Sequence, residues 1–173
     1  MAEEKRGDFM SMYNNLRKVV TVFRYDEILL RLLYYPPENI KNNIKDPLDK
    51  SLEDMLVLDE DWSIRDKRIL LVSKSDDLVD DPICRIYLYA GRRTPQNGNF
   101  KVANQEIVVD VLCHNNFEKD LRSMRISDRI NELLVHERVA GMGKIEYIHG
   151  NQISSPVNYI GYRHLYEFAV TKR

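Results

Sequence analysis

Cysteine is scarce in this chain: two occur in 173 residues, Cys84 and Cys113, and no CxxC pair is present. A disulfide framework or a zinc ribbon needs more sulfur at closer spacing, so neither has support and a reducing compartment is expected. Both cysteines lie in apolar stretches that read as strands, where a free thiol behaves as a small hydrophobe. Long apolar runs are missing too. None approaches the ~20 residues that span a bilayer, and the charged start Met1-Ala2-Glu3-Glu4-Lys5-Arg6 leads into no apolar stretch of signal-peptide type. A soluble protein is expected. Net charge is nearly absent, with 26 basic against 27 acidic side chains. That balance removes the basis for tight nonspecific duplex binding, which depends on neutralising many phosphates. Internal repeats and low-complexity tracts are also lacking.

What is present suits a globular chain: 43% hydrophobic and 31% charged residues rule out global disorder, and the length allows a core without metal or disulfides. Over residues 8–23, Phe9, Met12, Tyr13, Leu16, Val19, Val20 and Phe23 recur at steps of three and four, the face of an amphipathic helix with Asp8 as its cap. Residues 26–33 predict a second helix that stops at Pro36-Pro37. Asp46-Pro47 predicts a third helix start, with Leu48, Leu52, Met55 and Leu56 at helical spacing beyond it and a linker over residues 36–46.

After Trp62 the period changes. Residues 69–72 predict a short strand, and residues 75–82 an acidic loop. Residues 83–90 alternate, with Cys84, Ile86, Leu88 and Ala90 on one side and Arg85, Tyr87 and Tyr89 on the other. A turn-rich loop with the hairpin signal Asn97-Gly98 is expected over residues 91–99, then a long strand over 106–114. Residues 117–136 predict a helix whose main face is Ile126, Ile130, Leu133 and Leu134. Leu121 and Met124 fall nearly opposite. Either the helix begins late, or it is apolar on two sides and also touches a neighbouring subunit. Strands at 144–149 and 159–170 complete the chain, with a loop opening at Gly150-Asn151. The order from residue 67 is β-β-β-α-β-β. The expectation is an α+β fold: a mostly antiparallel sheet with a helix on one face (67–173), preceded by an N-terminal helical segment (1–66).

Chemistry is harder to find. His114, His136, His149 and His164 stand at no metal-binding spacing, and the adjacent Cys113 and His114 point to opposite faces of a strand. Asp76, Asp77, Asp80 and Asp81 lack the alternating order of a calcium loop. Gly141-Met142-Gly143-Lys144 lacks the frame of a phosphate loop and precedes a strand instead of following one, so a helix-ending turn explains it. No motif makes a positive case for an enzyme, and no cofactor or metal is expected. Arg92-Arg93, in the expected loop, is the basic pair with a turn's exposure. Phosphate, an acidic protein partner and an ordinary hairpin tip all remain open for it.

The stretch Ile107-Val108-Val109-Asp110-Val111-Leu112-Cys113-His114, the helix carrying Ile126-Ser127-Asp128-Arg129-Ile130-Asn131-Glu132-Leu133-Leu134, then Gly141-Met142-Gly143-Lys144, and Tyr159-Ile160-Gly161-Tyr162 opening a last strand, together resemble phage tail-terminator and related neck proteins. The resemblance covers residues 67–171. It implies a hexameric ring of identical subunits that caps the tail tube, stops its growth and joins it to the head connector. Its partners would be the tail tube protein and the connector proteins, with DNA passing through without specific binding and no membrane involved. It also implies a place in the virion, reached by assembly in the host cytoplasm. A head-completion or connector adaptor, and a small nucleic-acid-binding module, are the competing readings. Candidate partner contacts are Arg92, Arg93, Tyr87, Tyr89, Leu121 and Met124; tyrosine suits surfaces apolar on one side and wet on the other.

Overall fold

Asp26 is where the first two helices part. Its carboxylate accepts from the Leu29 N–H at 2.8 Å and so starts α2 (Glu27–Tyr34) directly after α1 (Ser11–Tyr25). The computed structural model describes residues 11–73 and 82–171; the expected cap Asp8 and nearly all of the acidic loop at 75–82 lie outside them. From α1, Val19, Val20 and Phe23 are buried, and from α2, Leu29, Leu30, Leu32 and Leu33. No helix among the described residues is long and apolar enough to cross a membrane.

The helix expected from Asp46 does not form. Asp46 accepts from the Leu48 N–H and Asp49 from the Ser51 N–H, both at 2.8 Å. Such local side-chain bonds offer the backbone an alternative to helical ones, and the chain takes successive turns. Helix returns only at α3 (Met55–Leu58), capped by Asp54, and at α4 (Ser63–Arg68), whose first N–H groups at Ile64 and Arg65 are taken by the fully buried Asp59. Of the expected apolar stripe Met55 is buried, whereas Leu48 and Leu56 are exposed.

The sheet is built from β1 (Ile69–Leu70), β2 (Cys84–Gln96), β3 (Asn99–His114), β4 (Met142–Ile153) and β5 (Tyr159–Thr171), in the spatial order β1-β2-β3-β5-β4. Every neighbouring pair is antiparallel except β1 with β2. The fold is α+β. Residues 69–72 yield only a two-residue strand, and Leu71 and Val72 are exposed. The loop expected at 91–99 is mostly strand. β2 continues through a bulge in which Gly91 and Arg92 together oppose Glu106, whose carboxylate accepts from the Arg92 N–H at 3.0 Å. The reversal falls at Asn97-Gly98, as the sequence implies, with Gly98 at φ 79°. Gly150 and Asn151 likewise stay within β4 instead of opening a loop. A Cβ at Gly150 would sit 2.3 Å from the Tyr147 hydroxyl, so here glycine serves close approach and not a turn.

Of the two readings of residues 117–136, the structure takes the late start. A 3-10 turn (Glu118–Asp120) leads to Leu121 in the left-handed region (φ 55°), and α5 runs from Arg122 to Leu134. Glu118 fixes that start by accepting from both the N–H and the hydroxyl of Ser123. Helices α1, α2 and α5 and one face of the sheet share one continuous apolar cluster, from Val19 to Val170. The N-terminal helices and the sheet are therefore halves of one core. A smaller cluster, Ile83, Tyr87, Leu112 and Tyr159, packs on the other face. The alternation expected for the last strand holds at His164, Tyr166, Phe168 and Val170; Ile160 and Tyr162 are only partly covered.

Candidate interaction surfaces and the polar interior

Three arginines on α5, at steps of three and four, hold the N-terminal helices in place. The guanidinium of Arg122, fully buried, donates to the carbonyls of Leu32 (2.6 Å) and Tyr35 (2.7 Å) at the end of α2 and pairs with Asp120 at 2.8 Å. Arg125 joins Asp46 (2.9 Å) and Asp120 (3.1 Å), and its hydrogen bond holds the Asp46 carboxyl below the usual carboxylate range. Arg129 reaches back 2.6 Å to Asp26, the cap of α2. From α2 itself, Arg31 donates to the carbonyls of Asp49 and Leu52 and so pins the turns that replace the expected helix. The sequence assigns these arginines no role; their 122, 125, 129 spacing along one helix was the available signal.

A second polar cluster lies between α5 and the sheet. Tyr147 Oη is 3.2 Å from His164 Nδ1, His164 Nε2 is 2.8 Å from Ser127 Oγ, and Ser127 Oγ donates to the Ser123 carbonyl at 2.7 Å. Since the serine proton is committed to that carbonyl, Ser127 accepts from Nε2–H and Tyr147 donates to Nδ1. Burial disfavours the charged imidazole, and its Nε2–H faces the serine oxygen, so it is not positioned as a base toward the hydroxyl. The arrangement satisfies buried polar groups.

Burial pushes the His164 imidazole down, against weaker upward pulls from Asp110 and Asp128. The folded state thus refuses a proton that the unfolded chain takes up near pH ~6.5. The contribution of His164 to stability is whole above that value and drains away as pH falls below it toward the lower folded-state pKa. Denaturant midpoints measured from roughly pH 7.5 to roughly pH 5 are expected to fall less steeply for His164→Gln than for the native chain. Parallel slopes would remove His164 from the acid response.

The thiols behave as their apolar setting implies. Cys84 and Cys113 are register partners across β2 and β3, free and fully buried. Burial, and then the neighbouring Cys84, push the Cys113 thiol up and away from the reactive thiolate. Gly141 opens the turn into β4, its N–H donating to Asn15 Oδ1 at 3.0 Å, so the GMGK segment serves as a packing turn.

The six candidate partner residues fall into different settings. Arg92 lies on the bulge with its side chain 76% exposed, 3.7 Å from Glu106. Arg93 is half-buried farther along β2, and neither arginine occupies the hairpin tip at Asn97-Gly98, because the strand outlasts the expected loop. Tyr87 is only 1% exposed, held in the smaller apolar cluster, and offers a partner no surface. Tyr89 is half-buried. Its hydroxyl donates to Asp110 (3.0 Å), which also receives two 2.7 Å bonds from Arg163, and burial with the Asp110 charge raises the phenol to about 12. Leu121 and Met124, at the start of α5, are 66% and 40% exposed.

These features define an α+β protein with one helix-covered core and several exposed apolar and charged surface features. The YomW family model matches residues 26–168. An SPbeta prophage-derived uncharacterized protein YomW of Bacillus subtilis (strain 168) is 32% identical over 176 residues, covering 94% of this chain and 100% of that relative. The chain belongs to the YomW family.

Proposed function

We propose that this chain is a structural subunit of a phage neck, a tail-terminator-like ring protein that caps the tail tube and joins it to the head connector. The observation that carries the reading is at the start of α5. Leu121 is held in a left-handed backbone conformation (φ 55°) and is 66% exposed, with Met124 one turn on also exposed. A leucine at positive φ costs about 1–2 kcal/mol. Here it is fixed by its neighbours, the Glu118 cap and the Arg122–Asp120 pair, in a position that gives the isolated chain little burial in return. A partner surface supplies the missing burial. Arg92, exposed on its bulge, adds a charged contact on a separate element. The prophage origin of the similar Bacillus protein agrees with a role in a phage particle.

Leu121→Asp with Met124→Asp is expected to leave the melting temperature nearly unchanged, because both side chains are exposed, while abolishing assembly onto tail tubes. Mass photometry of the purified chain, and electron microscopy of tubes incubated with it, read both halves. A variant that still caps tubes removes this surface from the interface; a native chain that ignores tubes and connectors removes the neck reading itself.

A further inference from the structure

Helix α1 carries Arg17, Lys18 and Arg24 and not one carboxylate, in a chain whose charges nearly balance as a whole. Arg24 pairs with Asp66. Arg17 and Lys18 have no ion-pair partner among the described residues, although arginines 31, 65, 92, 122, 125, 129 and 163 each have one. With Asn14 and Thr21 they form one exposed helical stripe, beside an open groove of about 630 Å³ floored by Val22 and Val139. Because Val19, Val20 and Phe23 bury the opposite side of α1 in the core, the stripe faces away from the sheet.

The outer face of the sheet carries a row of carboxylates, in addition to the Asp110–Arg163 pair. Glu106 on β3, Glu167 on β5 and Glu146 on β4 stand side by side in direct register. Their sequence neighbours Ile107, Tyr166, Phe168 and Ile145 point into the core, so the three glutamates share the face turned away from it. Like charges placed directly opposite one another destabilise a sheet. Arg92 relieves Glu106 and Asn104 donates to Glu167, while Glu146 is exposed with no ion-pair partner among the described residues.

We propose that the α1 stripe docks on the glutamate row of a second copy of this chain. The two patches lie on opposite sides of the core and cannot neutralise each other within one subunit. A contact between unlike patches is head-to-tail, the kind that closes into rings. Arg17 and Lys18 meet Glu146 and Glu167, and the apolar floor of the groove meets Leu165 and its surroundings on the sheet face. The inference rests on the ring reading above and names the contact that builds the ring.

The test uses the full chain in mass photometry and sedimentation velocity, with thermal melts confirming the fold. Arg17→Glu with Lys18→Glu, and separately Glu146→Lys with Glu167→Lys, each raise the dissociation constant of the assembly by roughly tenfold or more, since each sets like charges face to face. Mixing the two variants one to one restores assembly, because every contact in an alternating ring is again complementary. Glu146→Lys alone weakens assembly in the same direction, at a side chain with no hydrogen bond or ion pair among the described residues. Variants that assemble like the native chain overturn this contact and leave the ring reading standing. Weakening that mixing does not repair overturns the glutamate row as the occupant. A native chain solitary at every concentration, with and without tail tubes, overturns both.

Discussion

Replacing Arg122 with methionine is expected to lower the unfolding free energy by about 3–5 kcal/mol, the cost of removing one partner from a buried ion pair. The methionine fills comparable space but leaves Asp120, the Leu32 carbonyl and the Tyr35 carbonyl without the donor they now share. Those carbonyls end α2, so the loss strikes the joint between the N-terminal helices and α5. In a chain of this size it corresponds to a drop in melting temperature of about 10 °C. Arg125→Met is the control. That side chain is 27% exposed, and its pairs are expected to contribute only about 1 kcal/mol. Equal losses from the two substitutions would mean that burial does not set the value of this clamp.

The second large effect is at Gly141. A Cβ there would lie 2.1 Å from Phe168 Cδ2 and 2.6 Å from the Ala169 carbonyl oxygen, and the residue has φ 65°. Gly141→Val combines a steric conflict of about 1–3 kcal/mol with a backbone cost of about 1–2 kcal/mol, made worse by the β-branch. A loss of about 3 kcal/mol or more is expected in denaturant unfolding, together with detachment of the start of β4 seen as faster amide exchange. Gly143→Ala separates the two causes. Gly143 has φ 83° but nothing within 4 Å of its Cβ position, so only the backbone cost applies. Should the two variants unfold at the same midpoint, the contact with Phe168 carries no energy.

Elements with an unambiguous period were legible from residues alone. Steps of three and four through Val19, Val20 and Phe23 placed α1, and the alternation from His164 to Val170 placed β5, because burial on one side imposes the period of the backbone. The class followed from the order of such segments. The stretch after Asp46 was misread because the same aspartate that caps a helix also closes a local turn, and nearest-neighbour spacing does not decide between them. The bulge at Arg92 and the close approach at Gly150 were invisible for a related reason: the first depends on Glu106 from the neighbouring strand, and the second on how Tyr147 of the same strand and His164 of the next fold over the glycine.

What the amino-acid order determined by itself is therefore the balance of charge, the burial of the two thiols, the positions of the strongly periodic elements and the α+β class. Tertiary structure alone decided that the N-terminal helices and the sheet share one core, that Tyr87 is covered while Leu121 is not, and that Glu106, Glu167 and Glu146 form a row. The physical reason is range. Periodicity is set by the backbone within a few residues, whereas register, ion-pair choice and the exposure of a given side chain depend on segments brought together from as much as 126 positions apart, as Gly141 and Asn15 are.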